Sequence, residues 1–371
     1  MGIDELFLLD YNKNINNLIS RRDEGTAWWL STNLRVMISV QGGKSDQERK
    51  DMFYRTAESV SPKHPDKLCD RISDTILDAF LAQDKNSRVA VETCGGHGVV
   101  FVTGEVTSTG EVDIPKIVHE IAGEDIEVHT KIVKQSPEIA QGVDTGGAGD
   151  QGIMIGYACD ETPELLPLEV VLSRRLNQFI YEKYPYDGKT QVTLAPDGSI
   201  ESIVASFQNV SKDDLTERVK EFISDKALEG KLELHINPAG DWNQGGFDAD
   251  TGLTGRKLIV DNYGPRVAIG GGCYSGKDAT KVDRSAAYIA RRIAVDYLRK
   301  REAHEVLVRL AYAIGYAEPL EKTVIVDGKP EEIQGYDLTP KGIIEYLDLK
   351  RPIYAKTAEY GHYGEGFDWD K

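Results

Sequence analysis

A glycine-rich run in the last third of the chain almost matches a phosphate-binding P-loop, yet it breaks the rule of that motif. In GGGCYSGKDATKVDRSAAY, residues 270–288, two glycines and Lys277 fit the spacing G-x-x-x-x-G-K. The next position should supply a Ser or Thr hydroxyl, but it is Asp278, and the helical pattern begins only around Asp283. A P-loop fold is therefore not expected. The glycine amides, Lys277, a second lysine at Lys281 and the carboxylates still suit a polyphosphate and its metal ion.

Length and charge restrict the classes of protein to which the chain can belong. With 371 residues it exceeds one typical core and should form two or three domains. No apolar run reaches the roughly 18 residues of a transmembrane helix, so none is predicted. A net charge of −17 disfavours nucleic acid and membrane partners. A polyanionic ligand would need a local basic island or metal ions.

The cysteines indicate a reducing environment. They are widely spaced and form no C-x-x-C pair, so neither a zinc site nor a disulfide framework is expected. A cytoplasmic location is the simplest interpretation. The residues are Cys69, Cys94, Cys159 and Cys273.

The chain changes character near Phe53. Residues 1–51 show no sustained periodicity and are expected to be a loosely ordered extension. Beyond them, apolar spacing predicts helices around residues 68–80, 165–184, 215–223 and 283–297. Strands are predicted at residues 88–92, 99–107, 191–195, 199–208, 232–236, 257–261 and 323–326. Because helices and strands mix without strict alternation, the pattern favours an α+β fold over a doubly wound sheet.

Two further segments carry residues suited to a charged ligand. His64 and Asp66 stand at a predicted helix start, where free amides and the helix dipole favour anions. The run GVDTGGAGDQG, residues 142–152, allows its backbone to approach a ligand closely. Taken singly, helix capping explains the first segment and a surface turn explains the second.

The segment 236–257 adds a third group. It combines Trp242, a stacking surface for a base, with Asp250 and the pair Arg256 and Lys257. The chain lacks the G-x-S-x-G, H-E-x-x-H and strand-led G-x-G-x-x-G motifs. Its lysines, aspartates and glycines thus favour electrostatic stabilisation of a polyphosphate over covalent catalysis.

Together, these motifs closely resemble the S-adenosylmethionine synthetase (methionine adenosyltransferase) family, from about Phe53 to Trp369. The resemblance rests on HPDK at residues 64–67, GAGDQG at 147–152, GLTGRK at 252–257, the run 270–288, YAIGYAEP at 312–319 and AEYGHYG at 358–364. It implies synthesis of S-adenosylmethionine from ATP and L-methionine. The methionine sulfur would attack C5′ of ATP, and the released triphosphate would be hydrolysed to phosphate and diphosphate.

The resemblance also implies roles for individual residues. Catalytic roles fall to His64, Arg256, Lys277 and Lys281. ATP would be bound by His64, Asp187, Lys189, Trp242, Asp250, Arg256, Lys257 and Lys277, with Trp242 standing where the family usually has a phenylalanine. Methionine would be held by Glu105, Gln141, Asp250 and Lys281. Asp66 and Asp283 would be Mg²⁺ ligands, and Glu92 a K⁺ ligand.

The implied fold consists of three similar, intertwined domains in a pseudo-threefold arrangement, with sheets packing across a dimer interface. Active sites would be shared between two subunits, and dimers would pair into tetramers. The expected segments are an extension at 1–51 and domains at 52–147, 148–245 and 246–371. The stretch between Gln141 and Gly147 is shorter than the gating loop common in the family.

Two other classes of function remain open from the sequence. A P-loop kinase or NTPase would need Ser or Thr at position 278 and leaves the other motifs unexplained. A non-catalytic nucleotide-binding or regulatory subunit is compatible with the short loop and the N-terminal extension.

Overall fold

Three small sheets make up the framework of the protein. The computed structural model describes residues 53–135, 146–223 and 232–371. In chain order the strands are β1 (Arg55–Val60), β2 (Arg88–Gly96), β3 (Val99–Thr107), β4 (Glu127–Val133), β5 (Gly152–Cys159), β6 (Gly188–Leu194), β7 (Ile200–Phe207), β8 (Glu233–Ile236), β9 (Gly252–Leu253), β10 (Glu305–Tyr312), β11 (Glu321–Val326) and β12 (Lys329–Glu332). The helices are α1 (Pro65–Gln83), α2 (Ile114–Ala122), α3 (Leu168–Lys183), α4 (Lys212–Phe222), α5 (Leu258–Asp261), α6 (Val282–Arg301), α7 (Pro340–Tyr346) and α8 (Thr357–Tyr360).

Each sheet draws its four strands from distant parts of the chain. The strand orders are β1-β6-β7-β8, β4-β3-β2-β9 and β12-β11-β10-β5. One long helix packs on each sheet: α3 on the first, α1 on the second and α6 on the third. The α+β class and the intertwining of three units are therefore confirmed.

Two of the sheets share one plan. Each has a central antiparallel hairpin with an antiparallel outer strand on one side and a parallel strand on the other. The parallel strand follows a helix, α4 before β8 and α2 before β4, because a parallel pair requires a crossover connection. In the third sheet β12 returns antiparallel to β11 through a tight hairpin.

The predicted helices and strands are largely present, with one error. The predicted hairpin forms as β6 and β7, and the predicted late helix begins at Val282. Residues 257–261 were predicted as a strand but form the single turn α5, in which the Asp261 amide donates to the Lys257 carbonyl at 2.9 Å. A short apolar run does not distinguish the two states, and tertiary contacts decide between them. The predicted extension, residues 1–51, lies outside the described residues.

Helix α1 carries an unusual line of acidic residues towards the interior. Asp66, Asp70, Asp74 and Asp78 recur at every fourth position, which places them on one face of the helix. We call these carboxylates the acidic stripe. The first three are buried, and Asp78 is partly buried. Apolar residues beside the stripe, including Leu68, Ile72 and Ile76, pack into the core.

Each member of the stripe is paired with a group from elsewhere in the chain. Asp74 accepts from Arg284 Nη1 at 2.6 Å, from Arg284 Nη2 at 3.0 Å and from the Gly276 amide at 2.8 Å. Asp78 accepts from the Tyr354 amide at 3.0 Å and the Ala355 amide at 2.8 Å. Since buried carboxylates are stable only when paired, the stripe anchors α6 and the C-terminal segment to α1.

Within the described residues, no helix has the length and apolar character needed to cross a membrane.

Arg284→Met should lower the free energy of unfolding by about 3–5 kcal/mol, because it leaves Asp74 as an uncompensated buried charge. The matched control is Arg292→Met on the same helix, since Arg292 pairs with Asp296 at 2.8 Å in a partly exposed position. That change should cost at most about 1 kcal/mol beyond lost packing. Urea titrations give both values, and equal losses would contradict the role assigned to Asp74.

Candidate functional site

Asp66 is the centre of the first group of predicted site residues. Its carboxylate is fully buried at the start of α1 and accepts from the Leu253 amide at 2.9 Å. It also accepts from Arg256 Nε at 2.9 Å and from Lys257 Nζ at 2.6 Å. Burial by itself would raise the pKa of Asp66, but hydrogen bonds from Lys257 and Leu253 bring it below its ordinary value. The residue is therefore an ionised carboxylate between two cations.

The segment 252–257 is held against α1 by close backbone packing and polar contacts. A Cβ on Gly252 would lie 2.1 Å from the Pro65 carbonyl oxygen, so only glycine allows this approach. Thr254 Oγ1 lies 2.9 Å from Ser73 Oγ, and the Gly255 amide donates to Asp70 Oδ1 at 2.8 Å. These contacts fix the backbone that carries Arg256 and Lys257.

His64 caps α1 and is held as a neutral imidazole. Its side chain is almost completely buried, and its Nδ1 accepts from the Asp66 amide at 3.1 Å. Burial, followed by the nearby Lys257 and Lys189 charges, lowers the pKa of His64 to about 3. A neutral ring whose Nδ1 accepts must carry its proton on Nε2. His64 therefore offers one uncharged N–H donor.

The ends of β6 and β7 bring three more predicted residues to this group. Asp187 accepts from the Gly246 amide at 2.9 Å, and burial raises the pKa of its carboxyl above the ordinary value. Lys189 lies directly opposite Ser206 in the strand pair. Trp242 Nε1 donates to Ser206 Oγ at 3.1 Å, which places the indole beside Lys189.

Asp250 completes the group as an exposed carboxylate whose charge acts on His64. We call the whole set the Asp66 cluster. It comprises His64, Asp66, Asp187, Lys189, Trp242, Asp250, Arg256 and Lys257.

A second group surrounds Asp283 at the start of α6. Lys277 Nζ lies 2.7 Å from Asp283 Oδ2, and the Gly272 amide donates to Asp283 Oδ1 at 3.3 Å. Lys281 forms an ion pair with Asp278. Asp278 Oδ2 also accepts from the Val89 amide of β2 at 2.7 Å, so this carboxylate fixes the loop to the sheet edge.

Two predicted carboxylates lie on the adjacent sheet. Glu105 of β3 is opposite Ala90 of β2, and Glu92 is two residues further along β2, so both project from the same exposed face. The backbone of Lys277 forms a bridge with Ala90 at the edge of this sheet. We call the set Glu92, Glu105, Lys277, Lys281 and Asp283 the Asp283 cluster. Gln141 lies outside the described residues.

The chain thus divides the predicted residues into two clusters. Over the described ranges, no hydrogen bond or ion pair joins a side chain of the Asp66 cluster to one of the Asp283 cluster. They are connected indirectly through α1, whose stripe begins with Asp66 and reaches the glycine-rich loop at Gly276 through Asp74.

The carboxylates fit the way proteins hold Mg²⁺. In the part of the chain that the structure describes, no three His, Cys, Asp or Glu side chains form a ready metal cage. Mg²⁺ commonly binds one or two carboxylates and completes its shell with substrate phosphates and water. Asp66 and Asp283 fit this pattern, because each is a carboxylate beside lysine or arginine side chains that could bind a phosphate.

Sequence reasoning missed a buried charge group beneath the Asp66 cluster. Lys67 Nζ lies 2.6 Å from Asp261 Oδ1 and 3.6 Å from Asp70 Oδ2. Burial raises the pKa of Asp70 to about 7, against the opposing effect of Lys67. The signal was available, because the acidic residues of α1 recur at every fourth position. Ser206, which accepts a hydrogen bond from Trp242, was missed as well, and no comparable pattern in the sequence points to it.

A cleft of about 470 Å³ lies apart from these side chains. Its lining includes Arg88, Gly147, Thr280, Lys341 and Lys350, and none of the predicted site residues. It adjoins the Asp283 cluster at Thr280, the neighbour of Lys281 in the chain.

Comparisons with known proteins point to one family along most of the chain. Models of the N-terminal, central and C-terminal domains of S-adenosylmethionine synthetase match residues 52–137, 145–242 and 244–371. The S-adenosylmethionine synthases of two Thermus thermophilus strains are 45% identical over 375 residues, covering 85% of this chain and 95% of theirs. That of Bifidobacterium adolescentis is 43% identical over 383 residues, with coverage of 85% and 95%.

The imidazole of His64 should remain neutral, with its proton on Nε2, from pH 8 down to pH ~5, because its pKa is about 3. Proton–nitrogen NMR of the ring, assigned by comparison with His64→Asn, measures this directly. In the urea-unfolded chain the same ring should titrate near the ordinary value of about 6.5. A folded-state midpoint close to 6.5 would contradict the assigned burial and tautomer.

Proposed function

This chain belongs to the S-adenosylmethionine synthetase family, and on that premise we propose that it is a methionine adenosyltransferase that makes S-adenosylmethionine from ATP and L-methionine. The observation that carries the proposal is the Asp66 cluster. In this cluster a neutral imidazole N–H donor, three cationic side chains, a carboxylate able to bind a metal ion and the indole ring lie together. These are the groups that a purine nucleoside triphosphate requires.

The proposed reaction explains why the chain has no nucleophile or general-base motif. A thioether sulfur carries no proton, so its lone pair can form the S–C5′ bond directly. The C5′–O bond breaks, and its electron pair leaves with the triphosphate. The enzyme must then align three atoms and stabilise the charge that grows on the leaving oxygen.

His64 is suited to contact that leaving oxygen. As a neutral imidazole it donates through Nε2 without forming a fixed ion pair with the ground-state triphosphate. A donor aimed at charge that develops in the transition state accelerates the chemical step more than one that binds substrate and transition state equally.

The cations divide between the two clusters. Lys189, Arg256 and Lys257 would bind phosphates from the Asp66 cluster, and Lys277 from the Asp283 cluster. Lys281 would face methionine together with Glu105 and Asp250. Its ion pair with Asp278, which is itself bonded to β2, supports this role by fixing the direction of the lysine.

The metals would be held by carboxylates of both clusters. Asp66 and Asp283 would bind Mg²⁺, and Glu92 would bind K⁺. Mg²⁺ supplies positive charge that offsets the charge of the triphosphate.

We place the complete site between two copies of the chain. In this arrangement the Asp66 cluster of one subunit faces the Asp283 cluster of the other, and dimers pair into tetramers. The lack of direct contact between the clusters supports it. So does the exposed sheet face, where Glu92 and Glu105 lie beside Phe101, whose side chain is 50% exposed.

All four cysteines are free thiols, which supports a reducing cytoplasm.

Full-length protein incubated with ATP, methionine, Mg²⁺ and K⁺ should form S-adenosylmethionine together with equal amounts of phosphate and diphosphate. Liquid chromatography with mass detection measures the sulfonium product. A chain starting at Met52 should be equally active if the extension is dispensable. ADP formation without methionine would favour a kinase or NTPase, and tight ATP binding without transfer, unchanged in Lys281→Ala, would favour a regulatory subunit.

Ser206→Ala should raise KM for ATP by roughly three- to tenfold with little change in kcat, since it removes one hydrogen bond of about 1 kcal/mol that orients the Trp242 indole. The control is the same change in a Trp242→Phe background, where the ring has no N–H to orient. There the second substitution should have little further effect. An equal increase in both backgrounds would mean that Ser206 acts on Lys189 or on the strand instead.

A further inference from the structure

Both carboxylates proposed to bind metal are paired with cations proposed to bind phosphate. Asp66 holds Arg256 at 2.9 Å and Lys257 at 2.6 Å. Asp283 holds Lys277 at 2.7 Å. The same pairing therefore occurs at the starts of two different helices, α1 and α6, and among the described residues no hydrogen bond or ion pair joins the two places.

These pairs are difficult to separate one partner at a time. Asp66 is fully buried and Asp283 nearly so, and removing the partner of a buried charge leaves it uncompensated at a high cost. A divalent cation arriving alone would have to displace an ammonium or guanidinium that then has no anion. A metal-free triphosphate would leave the carboxylates unpaired in the same way.

Simultaneous arrival removes both costs. If metal and triphosphate enter together, each carboxylate exchanges its cation for the metal, and each released cation takes a phosphate oxygen. Each carboxylate and each released cation then has a partner of opposite charge, so no buried charge is left alone.

Building on the proposed function, we propose that Arg256, Lys257 and Lys277 make the metal sites selective for the metal–nucleotide complex by occupying Asp66 and Asp283 until the metal replaces them and the triphosphate binds them. These cations thus have a second role beyond binding phosphate: they exclude free divalent ions. By linkage, metal and nucleotide each raise the affinity for the other by the same factor.

Lys277 gives the clearest test, because Asp283 pairs with only one cation among the described residues. Lys277→Met should increase the affinity for Mn²⁺ alone by about tenfold, since Asp283 loses its competitor, while it weakens binding of a non-hydrolysable ATP analogue. Mn²⁺ is measured by electron paramagnetic resonance of the free ion, and the analogue by calorimetry. The ratio of Mn²⁺ affinities with and without the analogue should fall by at least about tenfold.

Two control variants make the result specific. Lys341→Met changes the net charge equally at an exposed lysine that lies 3.8 Å from Glu345, and it should leave Mn²⁺ affinity unchanged. Adding Asp283→Asn to Lys277→Met should abolish the gain, because the carboxylate that binds the ion is gone.

Unchanged or weaker Mn²⁺ binding by Lys277→Met, or a gain that persists with Asp283→Asn, would overturn the inference. Those outcomes would leave the proposed function standing if the wild-type chain makes S-adenosylmethionine. If the wild-type chain makes no product while Lys277→Met still binds Mn²⁺ more tightly than wild type, the proposed function would be refuted and the ion competition retained.

Discussion

The acidic stripe of α1 is the constraint on which the rest of the structure depends. A buried carboxylate must be paired, and each member of the stripe is paired with a segment that is distant in sequence. Asp66 and Asp70 hold the segment 252–257, Asp74 holds Gly276 and Arg284, and Asp78 holds the amides of residues 354–355. One helix therefore sets the relative positions of the loops that carry the proposed site, so the contacts that hold the framework together are also the ones that position the residues proposed to bind the ligand.

This arrangement also resolves a problem of charge. With a net charge of −17, the chain needs local positive charge to bind ATP, and the cations proposed to bind phosphate need support in a field that is negative overall. Pairing Arg256 and Lys257 with Asp66 keeps them in place without a large exposed basic patch. The neutral state of His64 belongs to the same balance, because burial and two nearby lysines remove its proton and leave a donor that adds no further positive charge.

Local patterns were enough to predict the long helices, the β6–β7 hairpin and the α+β class, since periodicity and turn residues act over short distances. The family resemblance also named the residues that lie together as the Asp66 cluster, and their roles stay predictions. The pairing of β1 with β6 and of β9 with β2 was beyond local signals, because each joins segments separated by more than a hundred residues. The strand predicted at residues 257–261 was wrong for a related reason. The ion pair between Lys67 and Asp261 fixes that turn, and this long-range contact cannot be inferred from the sequence of the turn itself.

The glycine-rich run keeps the glycines and the lysine of a P-loop but uses them differently. In a P-loop the helix begins at the lysine, so that its N-terminal amides and dipole bind phosphate directly. Here Asp278 bonds to the Val89 amide and to Lys281, and this contact delays the helix until Val282. The delay brings Asp283 into the first turn, where its carboxylate meets Lys277 and the Gly272 amide. The helix start that would have held a phosphate thus holds an acidic side chain, and that exchange is why we propose this loop as one side of a metal-dependent site rather than as a P-loop.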